Sequence, residues 1–195
     1  MSKSELTEYE TARIFSDENQ IKAAAAIPIK LQAKEERFFD KMSHTKVGSL
    51  RKLEMLYSLM DELSISLSKF MPCKKGCAFC CHYKISISEI EVAYIEKHTK
   101  HRRLKKMTSW QDFHGHACPF LKENVCSIYA VRPFACRRHN ALTKDAFWCN
   151  HEHSDRAFPL IRFTNVDRVF DLIRLEANAS EHSDIRQFFG SRVGI

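Results

Sequence analysis

Eight cysteines lie between Cys73 and Cys149, and the residues before and after that stretch contain none. The opening MSKSELTEYE has no apolar core and does not read as a secretory signal, so a reducing, cytoplasmic location is expected. Thiols held reduced in such number call for metal rather than disulfides. A set of buried free cysteines would explain one or two of them, since a free cysteine behaves as a small hydrophobe, but explains six or seven together poorly.

The first cluster is CKKGCAFCC, Cys73 to Cys81. Cys77 and Cys80 form a C-x-x-C pair, a loop length that lets two sulfurs converge on one metal at about 2.3 Å for zinc. Gly76, just before the pair, permits a tight or left-handed turn that helps backbone amides approach the sulfurs. Cys80 and Cys81 are adjacent and are expected to point in different directions, so that one of them serves a second metal or is merely buried. The second cluster runs through CPFLKENVCSIYAVRPFAC, Cys118 to Cys136, with Cys126 between them. Pro119 fixes the backbone after Cys118 and removes an N–H. Phe120, Leu121, Val125, Ile128, Tyr129, Val131 and Phe134 are expected to wrap the site and exclude water. Arg137 and Arg138 flank Cys136 and are expected to offset thiolate charge, with Arg132 acting from further away. Cys149 follows, then His151 and His153. Among the histidines, His114 and His116 are the best candidates to support a ligand; His82, His139, His151 and His153 read more simply as surface or hydrogen-bonded side chains. A thioredoxin-like role for Cys77 and Cys80 lacks its βαβ context.

The composition points to a mostly α fold, with an irregular cysteine-rich metal-binding core wrapped by helices. Five Gly and five Pro are too few for an all-β protein full of tight turns, and 44% apolar residues exclude a disordered chain. Residues 1–72 read as an N-terminal helical arm, 73–149 as the metal-binding core, and 150–195 as a C-terminal helical segment packing on that core. Leu50, Leu53, Leu56, Tyr57, Met60, Leu63 and Leu67 recur at helical spacing, and Phe38, Phe39 and Met42 extend the pattern toward the N-terminus. Pro28 separates this long helix from a weaker one near Glu5 to Ala26. Ser88 to Lys106 reads as a helix opened by a Ser88/Glu91 capping box and closed by the basic run Lys100 to Lys106, where the helix dipole favours cations. Asn165 is expected to cap a helix with Val166, Val169, Phe170, Ile173 and Ala177 on one face. The tail from Asp184 to Ile195 carries Phe188 and Phe189, expected to dock on the core.

Net charge is +7, and it is concentrated. Between Cys73 and Cys149 there are 14 Lys/Arg against 6 Asp/Glu, whereas the remainder has 17 against 18. Metal-bound thiolates would offset much of that excess, so the charge does not call for a nucleic-acid partner. No apolar run reaches the roughly 20 residues of a membrane span. The partner the sequence implies is a metal ion; it does not indicate a protein partner.

CKKGCAFCC, CPFL, CSIY and RPFAC together resemble the CxxCxxCC zinc- or iron-chelating family, also called YkgJ-like, over Cys73 to Arg137. The resemblance implies Cys73, Cys77, Cys80, Cys81, Cys118, Cys126 and Cys136 as metal residues, with Arg132, Pro133 and Arg137 matching the RP-x-x-C-R block. Three residues rather than two separate Cys73 from Cys77, and Cys149 lies outside the pattern. A more distant likeness to flagellin lysine N-methylases implies an iron–sulfur cluster and methyl transfer from S-adenosylmethionine. The chain has no Gly-rich nucleotide loop after a strand and is short for that enzyme, so only the metal site is carried over. The expected function is a metal-binding protein holding zinc or an iron–sulfur cluster. A cluster-dependent protein-modifying enzyme and a zinc-stabilised adaptor are the alternatives.

Overall fold

The computed structural model describes residues 3–74 and 76–190, without the side chains of residues 3–6. The last five residues of the expected docking tail, 191–195, lie outside the described residues. The fold is mostly α. Among the described residues there are eight α-helices and two small antiparallel sheets of two strands each.

Helix α1 spans Lys3–Ala25 and carries almost no apolar stripe. It is held by polar ties instead. The Asn19 side-chain amide donates to the carbonyls of Phe70 and Leu142, both at 2.8 Å, and the Tyr9 hydroxyl donates to that of Ala157 at 3.0 Å. Pro28 caps α2, Ile29–Glu36, whose fixed φ suits a helix start. The expected long helix is in fact two, α3 (Phe38–His44) and α4 (Ser49–Leu67). The break falls at residues 45–48. The Thr45 hydroxyl turns back onto the Lys41 carbonyl at 2.7 Å, and Gly48 is extended at φ −64°, ψ 153°. Apolar spacing alone does not register such a break, because Phe38, Met42 and Leu53 still reach one core.

Strand β1 (Ser86–Ser88) leads into α5, Glu89–His98, through the expected capping box. Glu91 is 1% exposed and accepts four hydrogen bonds, from the Ser88 N–H and hydroxyl, the Phe134 N–H and the Tyr57 hydroxyl. One carboxylate thus fixes the start of α5 to α4 and to the start of α6, Phe134–Arg138. Helix α5 ends eight residues before Lys106. The Thr99 hydroxyl bonds the Ile95 carbonyl at 2.7 Å and then accepts from the His101 N–H. The basic run is therefore not helical. It folds back over the helix end, where Arg102 donates to the carbonyls of Glu96 and Thr99 and Arg103 pairs with Glu96 and Glu89. The attraction between cations and the carboxyl end of a helix survives in this form.

Strands β2 (Leu121–Lys122) and β3 (Val125–Cys126) form a hairpin whose turn uses positive φ at Glu123 and Asn124. Helix α7, Thr164–Glu176, buries Val166, Val169, Phe170 and Ile173 as expected. Asn165 is not its cap. The carboxylate of Glu35 in α2 accepts from the N–H groups of Asn165 and Val166 and satisfies the open amides from outside. Strand β4 (His182–Asp184) pairs with β1 and runs into α8, Ile185–Phe189.

Two apolar cores result. The larger packs α3, α4 and α7 with Ile90, Tyr94, Phe134 and Leu142. The smaller collects Ile85, Ile87, Val92, Ile95, Phe120, Ile128, Ile185 and Phe188 around Cys118. Phe188 docks there at 4% exposed, with Phe189 packed beside it.

Candidate metal centre

The cysteines come from four separate stretches. Cys73 and Cys77 sit on a loop, where Gly76 has φ +89°. Cys80 and Cys81 lie in a one-turn 3-10 helix, Phe79–His82. Cys118 precedes the hairpin, Cys126 ends β3 and Cys136 is in α6. Cys149 closes a short 3-10 turn and is buried. All eight are free.

Their thiols act on one another. Cys136 feels Cys80, Cys118 and Cys126; Cys81 feels Cys80, Cys118 and Cys126. Cys149 feels Cys73, Cys77 and Cys80, and Cys73 feels Cys80 and Cys77. Cys81, Cys126 and Cys136 pack around Cys118 at the smaller core and make one lobe; Cys73, Cys77 and Cys149, linked by their mutual electrostatic influence, are taken together as a second, and Cys80 influences thiols of both. Burial is the largest influence on Cys149, pushing its thiol up to about 12. Burial likewise raises Cys118 to about 11, against the pull of the Phe120 N–H and the Arg186 charge. Cys73 is the most open residue of the set, yet the atoms packed around its sulfur raise it to about 11. Burial also raises Cys126 and Cys136. The Cys81 thiol donates to the Cys80 sulfur, which lowers Cys80 and raises Cys81.

Neighbouring side chains in a 3-10 turn point about a third of a turn apart, and the Cys80 and Cys81 thiols nevertheless influence one another. The arginines are reordered. Arg132 is the close one, its charge reaching Cys73, Cys80 and Cys126. Arg137 turns away to Asp61 and the Tyr57 ring, and Arg138 to Asp167. Of the expected apolar wrapping, Phe120, Ile128 and Phe134 are buried, whereas Val125 and Tyr129 face solvent at 38% and 62% exposed.

The histidines gather beside the thiols. His82 stacks on His151 at 5.4 Å, and His114 meets His151 edge-on at 5.6 Å. Nε2 of His114 pairs with the His151 carbonyl at 3.1 Å. Nε2 of His139 and Nδ1 of His151 are buried with no hydrogen-bond partner among the described residues, and burial lowers His139 so that it stays neutral.

Among the described residues, no three His, Cys, Asp or Glu side chains stand as a closed set of ligands for one ion. The donor chemistry nevertheless fits zinc or iron: soft sulfur donors from four chain segments, partly enclosed, with Arg132 supplying compensating charge. Binding a metal would require these thiols to release their protons.

The class so defined is a mostly helical protein with eight free cysteines. Residues 72–154 match the family model CxxCxxCC, described as a "putative zinc- or iron-chelating domain". No curated protein and no solved structure matches the chain. The matched segment includes Cys149, which the sequence motifs left outside and whose thiol feels Cys73 and Cys77. Its signal in the sequence was only its place as the last cysteine of the run.

Proposed function

We propose that this protein chelates metal on a shared set of cysteine thiolates and holds more than one zinc or iron ion. The observation that carries this reading is the packing of Cys81, Cys126 and Cys136 around Cys118 at the smaller core, in a chain whose eight cysteines are all free. A single structural zinc takes four ligands, so one ion would leave half of the set unused. Thiolates suit both a pair of zinc ions and an iron–sulfur cluster. Cys73, Cys77, Cys80, Cys81, Cys118, Cys126 and Cys136 are the ligand candidates, joined by Cys149. Bound metal would hold the four cysteine-bearing stretches together and, as an iron–sulfur cluster, would supply one-electron chemistry.

The test is elemental analysis of protein purified without oxygen. Two or more zinc or iron ions per chain are expected, with absorbance near 400 nm, about where thiolate-bound iron–sulfur clusters absorb, if iron is present. One ion per chain, or none after reconstitution with either metal, overturns the reading.

A further inference from the structure

Arg186 lies in α8, beyond the segment that matches the family, and is 0% exposed. Its guanidinium is spent on the backbone that carries two of the cysteines. Nε donates to the Ala117 carbonyl at 3.2 Å. Nη2 donates to the carbonyls of Cys81 and Tyr83, both at 3.2 Å, and to that of His116. Nη1 pairs with both carboxylate oxygens of Asp184, at 3.0 and 3.1 Å. Asp184 in turn accepts from the N–H of Ile85 at 2.9 Å and caps α8.

These bonds converge on one junction. The Cys118 N–H donates to the Cys81 carbonyl at 2.8 Å, and Arg186 holds that same carbonyl together with the two residues just before Cys118. A flat fork of donors matches four carbonyls and a carboxylate in a way that a lysine ammonium does not. None of the hydrogen bonds of Arg186 reaches Cys73, Cys77 or Cys149.

We infer that Arg186 is a positioning residue for the metal-binding thiols, fixing the backbone of Cys81 against that of Cys118 so that one lobe of the cluster is presented ready to bind. This rests on the metal-chelating reading above. The C-terminal helix is then part of the centre although it contributes no ligand. Without the guanidinium, the carbonyls of Tyr83, His116 and Ala117 lose this donor, that of Cys81 keeps only the Cys118 N–H, and the loops bearing Cys81 and Cys118 separate. The lobe of Cys73, Cys77 and Cys149 keeps its own supports.

The experiment compares the full chain with Arg186→Met and Arg186→Lys. In metal-free, reduced protein, alkylation of each cysteine by N-ethylmaleimide is followed by mass spectrometry. Zinc affinity is measured by competition with a chelator. In Arg186→Met, Cys81 and Cys118 should react about tenfold faster while Cys73, Cys77 and Cys149 keep their rates, and zinc affinity should fall by about 10–100-fold, the usual range for a residue that supports a ligand. Arg186→Lys should recover part of both losses. If all eight thiols quicken together, Arg186 is merely structural and the inference is overturned, as it is if no rate changes. Should Arg186→Met fail to fold, Arg186→Lys decides: wild-type alkylation and wild-type affinity sink the proposal. If the unaltered chain takes up no metal, the chelating reading fails, while the alkylation pattern still tells whether Arg186 sets the Cys81–Cys118 junction.

Discussion

At the scale of single residues, Cys80 differs from the other seven cysteines. It accepts from the Cys81 thiol, senses Arg132, and is felt by thiols of both lobes. Cys149 feels Cys73, Cys77 and Cys80 and is steadied by the Thr143 hydroxyl. Cys80→Ser should therefore strip most of the metal, because a serine hydroxyl is a poor ligand for soft metals and the shared sulfur is gone. Cys149→Ser should lose only part. Metal per chain, measured on both variants after identical anaerobic purification, checks this; equal retention by the two would refute the special place of Cys80. Arg132 follows the same logic. Its guanidinium lies over the Tyr129 ring at 4.0 Å, which holds it where its charge meets Cys73, Cys80 and Cys126. In the sequence Arg137 and Arg138 looked better placed because they adjoin Cys136, but adjacency along a helix says little about which way a long side chain turns.

At the scale of elements, what could be read in advance was whatever is encoded locally. The apolar stripe of α4, the buried face of α7 and the Ser88/Glu91 capping box all depend on residues within a turn or two of one another. What could not be read depends on partners distant in the chain. The cap of α7 comes from Glu35, and the end of α5 is set by Thr99 together with Arg102 and Arg103 folding back. That the Asp184/Gln187 capping pair opens α8 and carries Arg186 into the cysteine loops was not read from the sequence. Another such tie joins α4 to α5. Glu54 accepts from Arg51 at 2.7 Å, Lys97 at 3.0 Å and His98 at 3.3 Å. The Arg51 bond, followed by that of Lys97, draws its carboxyl down from the ordinary 4.5 to about 2. A depressed carboxyl contributes stability above its unfolded value and loses it as pH falls through the folded one. The tie should hold in full above about pH 4.5 and fade toward about pH 2. Its partners are largely exposed, so its worth is on the order of 1 kcal/mol or less and falls with salt. The melting temperature of wild type minus that of Glu54→Gln should accordingly shrink across that acid window; a difference independent of pH would show that Glu54 acts by packing alone.

At the scale of the whole molecule, the two cores divide the labour. The larger contains no cysteine, and it is closed by α3, α4 and α7 with help from Phe134 stacked on Phe170 at 3.9 Å. The smaller contains Cys118, with Cys81, Cys126 and Cys136 packed against it. Metal binding energy is folding energy wherever the ligands are not already held in place, and four of the candidate ligands, Cys81, Cys118, Cys126 and Cys136, sit at the smaller core while none sits in the larger. Removing metal should therefore loosen one core and spare the other. Hydrogen exchange read by mass spectrometry, with and without a chelator under reducing conditions, resolves the two. Amides in residues 113–128 and in α8 should exchange faster once metal is lost. Those in the middle of α4 and α7 should keep their protection, because sub-global opening follows cooperative units of packing. Uniform loss of protection across both cores would mean that the metal holds the entire fold. Unchanged protection in 113–128 and α8 would mean that the centre is an appendage with no part in holding the smaller core together.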